Sequence, residues 1–184
     1  MFENILGQDE PVGLIRADIE SGRLPPALLF EGPPASGKAS AAIELARVLS
    51  CEGGSGGERA AWNCSCPACV RHRALAHPDF LILGARSFPE ELPAALELVG
   101  RAPGRSSAYF LVRAARKLVR RFDAALYAGE ESRLAKAAPL VREVEEALEA
   151  VAPERADQSS LAPGAAEAAA KVAAASAKLE ALVP

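Results

Sequence analysis

Four cysteines fall inside nineteen residues of this 184-residue chain, as Cys51, Cys64, Cys66 and Cys69. Four thiolates are a ligand set that tetrahedral zinc prefers, and Cys66-x-x-Cys69 has a common spacing for one half of such a set. The Cys64-x-Cys66 step is tighter than usual, and His72 and His77 stand near enough in sequence to substitute for a thiol. The competing reading is four unligated thiols, since free cysteine packs as a small hydrophobe. From Cys51 to Cys69, Gly53, Gly54, Gly56, Gly57 and the paired cysteines make a pattern that neither helix nor strand favours. Residues 51–69 therefore read as a loop-built zinc-binding module.

A second cluster is Gly32, Pro33, Pro34, Ala35, Ser36, Gly37 and Lys38, which fits the G-x-x-x-x-G-K frame of a phosphate-binding loop. Glycines at those positions let backbone N–H groups turn towards phosphate, the following helix adds its positive end, and Lys38 reaches the terminal phosphates. ATP is the candidate ligand, and the competing reading is a glycine-rich turn with an incidental lysine. The frame departs from its pattern at the next position. Ala39 stands where a Ser or Thr hydroxyl would ligate magnesium, and Ser40, one residue later, is rotated by about 100° on a helix. Weak or structural nucleotide binding is expected, with magnesium-assisted hydrolysis impaired, and an empty site is the competing expectation.

A third cluster is basic: Arg101, Arg105, Arg113, Arg116, Lys117, Arg120 and Arg121 occur with no acidic residue among them. Arg113, Arg116, Lys117 and Arg120 share one helical face and could follow a phosphate backbone. A solvated helix face gives the same pattern, and no aromatic residues interleave as a stacking surface would require.

These residues need elements to hold them. Val12, Ile15, Ile19 and, less strictly, Leu14 have helical spacing, so an amphipathic helix is expected over residues 8–22, ended near Gly22. The apolar run from Ala27 to Phe30, bounded by Pro25-Pro26 and Gly32, reads as a buried strand leading into the glycine loop, and Ala39 to Leu49 as the helix leaving it. His77-Pro78-Asp79 marks a turn before a second expected strand, Phe80 to Leu83. Beyond Gly84 the pattern is helical: Pro89 to Val99, Ser107 to Tyr127, Glu131 to Val151 and an alanine-rich tail at 161–184. Phe110, Ala114, Leu118, Phe122 and Leu126 form one apolar stripe and Leu134, Ala138, Val141, Val144, Leu148 and Val151 another, so residues 107–151 are expected to pair as a helical hairpin across Gly129.

Composition narrows the class. Half the residues are apolar and 24% are charged, which is ordinary for a globular protein, and a net charge of -3 gives no global attraction to nucleic acid. No basic, apolar leader opens the chain, and no run approaches the ~20 apolar residues of a membrane span. A cytoplasmic location follows as the expectation, and there thiols stay reduced and free to bind metal.

With these residues in view, the stretch 1–84 resembles the AAA+ clamp-loader subunits of bacterial DNA polymerase III, of both the gamma/tau and the delta-prime type. Phe2-x-x-Ile5-x-Gly7-Gln8 is similar to that family's opening motif, Leu28-Leu29-Phe30 enters the glycine loop as it does there, and the cysteine module follows the helix after the loop. Trp62-Asn63-Cys64-x-Cys66-x-x-Cys69 and His77-Pro78-Asp79 extend the likeness. The departures are Ala39, the lack of an apolar run ending in an acidic pair, and the lack of a Ser-Arg-Cys motif. Delta-prime subunits often have degraded loops and serve as rigid members of the assembly, so Ala39 points to that type.

The resemblance implies an α/β fold: the N-terminal portion of an AAA+ P-loop NTPase over 1–84, with the zinc module at 51–69, then a helical insertion or appendage over 85–184. It also implies that the chain is a truncated module whose missing strands lie further on. The function implied is a part in loading the sliding clamp onto primed DNA during replication, alongside other clamp-loader subunits, without catalysis by this chain alone. Two other classes remain open: a free-standing zinc-containing P-loop phosphotransferase, and a non-enzymatic zinc and helix interaction module.

Overall fold

A computed structural model describes residues 1–53, 60–82, 90–151 and 165–182. Two compact units result, Met1–Arg73 and Ala74–Pro184. The first holds α1 (Asp9–Glu20), α2 (Lys38–Leu49) and α3 (Pro67–Arg73), and the second holds α4 (Glu91–Arg101), α5 (Arg105–Val119), α6 (Glu131–Val151) and α7 (Ala165–Glu180).

No strand occurs among the described residues, and this overturns the expected α/β P-loop NTPase fold. Residues 27–30 and 80–82 have no regular secondary structure, and Leu83 lies outside the described residues. The physical reason is pairing. A three- or four-residue apolar run has no ladder of its own, and isolated strands are not stable without neighbours and a covered face. Leu29 instead lies 90% exposed, and only Phe30 of that run packs against the core of its unit.

In the first unit α1 turns Val12, Ile15 and Ile19 inward, as their spacing requires, and α2 contributes Leu45 and Val48. Phe2 and all four cysteines complete this core, so sulfur atoms supply much of its interior. α2 starts where Gly37 adopts φ 83°, a left-handed conformation that a side chain would disfavour. Its face at positions 44, 47, 48 and 51 carries Glu44, Arg47, Val48 and Cys51 to the inside, all buried.

The second unit is a helix assembly. Leu111, Val112 and Ala115 of α5, Val144 and Leu148 of α6, and Val172, Ala175 and Leu179 of α7 have essentially no exposed surface. α7 lies along α6, and its inward positions, Ala165, Ala168, Ala169, Val172, Ala175, Ser176 and Leu179, repeat at helical spacing. α5 lies along α4 and also touches α6. After α5 the chain tightens into two short 3-10 turns, Arg120–Phe122 and Ala124–Leu126, so the expected helix to Tyr127 ends early. The Asp123 carboxylate accepts the Ala125 N–H at 3.0 Å and starts the second turn.

Candidate metal centre

Two elements bring the thiols together. Cys51 follows the C-terminus of α2, Cys64 and Cys66 lie on the segment that approaches α3, and Cys69 sits within α3, a helix in a stretch expected to have none. All four are buried, Cys69 completely, and their Sγ atoms lie within 4.8 Å of one another. Zinc–sulfur bonds of about 2.3 Å in a tetrahedron put sulfurs about 3.8 Å apart. The Cys51 and Cys64 sulfurs are separated by 3.8 Å. The arrangement can therefore close on a tetrahedral metal ion with small movements. His72 and His77 are buried, but the cluster is made of the four cysteines alone.

The thiols are not equivalent. Burial works against the Cys66 thiolate, yet the N–H groups of Cys69 and Glu52 outweigh it and lower the thiol to about 7. The Cys69 N–H reaches the Cys66 sulfur at 3.4 Å, as the Gly53 N–H reaches that of Cys51. Burial pushes the Cys69 thiol well up, with neighbouring thiols adding to the rise and Arg47 opposing it. For Cys64 the Cys66 amide favours the thiolate, but burial and the adjacent Cys66 and Cys51 thiols raise it overall. The Cys66 thiol thus ionises more readily than those of Cys64 and Cys69. Metal binding would displace the thiol protons.

Around the sulfurs lies a polar scaffold that sequence reasoning missed. Arg47 and Glu44, each almost fully buried, form a two-pronged ion pair on α2: Nη2 donates to Oε1 at 2.6 Å and Nε to Oε2 at 2.9 Å. Arg47 Nη1 donates to the Cys69 sulfur at 3.1 Å and to the Ala61 carbonyl at 3.1 Å, and Nη2 donates to the Ala60 carbonyl at 2.8 Å. Trp62 takes the Arg47 guanidinium 5.6 Å and the Arg73 guanidinium 5.9 Å from its ring centre, and Arg73 donates to the Trp62 carbonyl at 2.7 Å. The available signal was the spacing of Glu44, Arg47, Val48 and Cys51, which puts a charge pair on the cysteine-bearing face of one helix.

The glycine loop is placed differently. Gly32, Pro33, Pro34, Ala35, Ser36 and Gly37 lead into α2, whose first residue is Lys38, and Ala39 and Ser40 are exposed in its first turn. The Lys38 ammonium folds back on its own loop, donating to the Gly32 carbonyl at 2.8 Å, the Pro33 carbonyl at 2.5 Å and the Ser36 hydroxyl at 3.2 Å. Its donors are thus turned to the protein rather than outward to a phosphate.

Part of the basic run is taken up by structure, while Arg101 and Arg105 stay exposed. In the second unit Arg116 is buried, pairs with Glu145 at 3.1 Å and donates to the Ala74 carbonyl at 2.9 Å. Lys117 pairs with Glu91 at 2.5 Å, and Arg120 donates to the Leu75 carbonyl at 3.0 Å. These cations hold the turn at residues 74–75 and neighbouring helices, which leaves less of the expected face for a nucleic-acid backbone.

Among the described residues no helix is long and apolar enough to cross a membrane. The chain matches no curated protein and no solved structure. The family described as DNA polymerase III, delta subunit, matches residues 7–130, a span that includes the glycine loop and all four cysteines, and the chain belongs to that family.

Proposed function

We propose that this member of the DNA polymerase III delta-subunit family is a clamp-loader subunit of the delta-prime kind, a structural member of the assembly that loads the sliding clamp onto primed DNA. The observation that carries the reading is the family match across residues 7–130. The glycine loop supports the delta-prime assignment: Ala39 offers no magnesium ligand, and Lys38 is engaged by its own loop, as suits a degenerate phosphate site. The chain by itself performs no hydrolysis. Its partners are the other clamp-loader subunits and, through them, the clamp and primed DNA, in the cytoplasm.

Zinc is the metal that suits the four thiols. A buried, all-sulfur, four-point site matches a structural zinc, whose coordination is filled by the protein and leaves no position for a substrate. Cys51, Cys64, Cys66 and Cys69 would hold it, tying the end of α2 to α3. The bound ion supplies cross-linking and charge, and no reaction passes through it.

Co-expression with the other clamp-loader subunits, followed by size-exclusion chromatography, tests the assignment. The chain should elute in stoichiometric complex with them and carry about one zinc per copy, while the isolated chain turns over no ATP. Elution apart from those subunits, or steady ATP turnover by the chain alone, would overturn it.

A further inference from the structure

We propose that Arg47 is the positioning residue of the metal centre, its guanidinium holding the Cys69 sulfur in place for ligation and tying it to the turn at Ala60–Ala61. The proposal rests on the reading that the four thiols hold zinc.

A guanidinium carries five N–H donors in a fixed fork. All five are committed here: two to Glu44, one each to the carbonyls of Ala60 and Ala61, and one to the Cys69 sulfur. An interaction made only to stabilise α2 would end at Glu44. The other three bonds run from α2 to the peptide just before Cys64 and to a ligand atom on α3. Ala60 has φ 61°, a left-handed conformation that an L residue disfavours, and its carbonyl is one that Arg47 holds. Arg47 therefore fixes both ends of the segment that carries three of the four thiols.

Charge gives the same assignment. Zinc bound by four thiolates carries a net charge of about -2, which is costly to bury without a nearby cation or hydrogen-bond donors. Arg47 presents its positive edge to Cys69, the most buried of the four sulfurs, while Glu44 grips its opposite edge and sets the orientation. Groups of this kind, bonded to a ligand rather than to the metal, typically change metal affinity by about 10–100-fold. A lysine keeps the charge but lacks the planar fork, so it cannot serve sulfur, carboxylate and two carbonyls together.

The test uses the full chain loaded with zinc, as wild type, Arg47→Met and Arg47→Lys. Two quantities are read: the rate of zinc transfer to a chromogenic chelator, and the order in which the four cysteines are alkylated, mapped by peptide mass spectrometry. In the wild type Cys69 should react last. In Arg47→Met zinc should leave about 10–100-fold faster, and Cys69 should move ahead of Cys51 in the order. Arg47→Lys should fall between the two in rate and show the same reordering. If Arg47 only supports the fold, all four thiols will speed up together in the wild-type order, and that overturns the proposal. Should Arg47→Met fail to fold, Arg47→Lys decides by the same two readings. Absence of zinc from the wild type would instead defeat the zinc reading, whereas a zinc-loaded wild type with unaltered variants defeats this inference alone.

Discussion

The bulkiest fully buried side chains of the unit Met1–Arg73 are Arg47, His72, Glu44 and Cys69, whereas those of Ala74–Pro184 are Leu75, Leu111, Leu148, Leu179, Val112, Val144 and Val172. The first interior sets a charge pair and four sulfurs among its apolar side chains, whereas the largest fully buried groups of the second only need to leave water. A directional interior depends on every partner being present, because a buried donor or charge left alone costs more than its pairing gained. An apolar interior fails gradually, by volume lost. The two units of one chain should therefore respond to different insults.

Metal removal should separate them most. Structural zinc in small peptides contributes an apparent ~10–16 kcal/mol, comparable to the whole stability of a typical domain. Chelation of the zinc-loaded chain should strip amide-exchange protection from residues 44–51 and 60–73, while Leu111–Val119 and Val144–Leu148 keep theirs. Acid should act in the same direction, since each ligating thiolate must be deprotonated and protons compete with the ion as pH falls. Equal loss of protection in both units would break the contrast.

The reciprocal insult is a cavity in the second unit. Leu111 has no exposed surface and lies among α5, α6 and α7 residues of the apolar core. Leu111→Ala should cost that unit about 2–5 kcal/mol in denaturant melts followed by helical circular dichroism. Zinc content and the rate of zinc release should stay at wild-type values. A variant that unfolds and also sheds its zinc would show that the two interiors are not separately maintained.

The same contrast sets what could be read from sequence. Helices were legible where an apolar stripe repeats: α1 from Val12, Ile15 and Ile19, and α6 over the full Glu131–Val151. α7 was harder, because its inward face is mostly alanine, which carries no strong hydropathy signal even though small side chains allow close packing. The cysteine cluster was legible because ligand types and spacing are chemical. The expected strands are absent: Leu28-Leu29-Phe30 is apolar, but a strand is a property of its neighbours, and among the described residues none pairs with it. Arg47 and Glu44 are not legible as internal, because charged residues on a helix are ordinarily outside, and only the face they share with Cys51 marks them as buried.

The smallest effect concerns Lys38, which lies in the polar unit but at its surface. Its ammonium spans the loop, bonded to the oxygens of Gly32, Pro33 and Ser36, so a phosphate entering the loop would have to draw it away from all three. Charged hydrogen bonds of this kind are worth more than neutral ones, but solvent access at this loop offsets much of the gain. Lys38→Met should therefore lower stability by about 1 kcal/mol or less. The loss should be local: the Ser36 amide, bonded to the Pro33 carbonyl at 3.4 Å, should exchange several-fold faster, while amides of Leu45 to Val48 and the zinc-release rate stay unchanged. Added ATP should protect the loop weakly in the wild type, because Lys38 must give up three hydrogen bonds within its own loop to reach a phosphate. If ATP instead strongly protects residues 32–40 in the wild type, and Lys38→Met abolishes that protection without altering loop exchange in its absence, then the lysine serves nucleotide rather than the loop, and the polar unit contains a second working site beside its sulfurs.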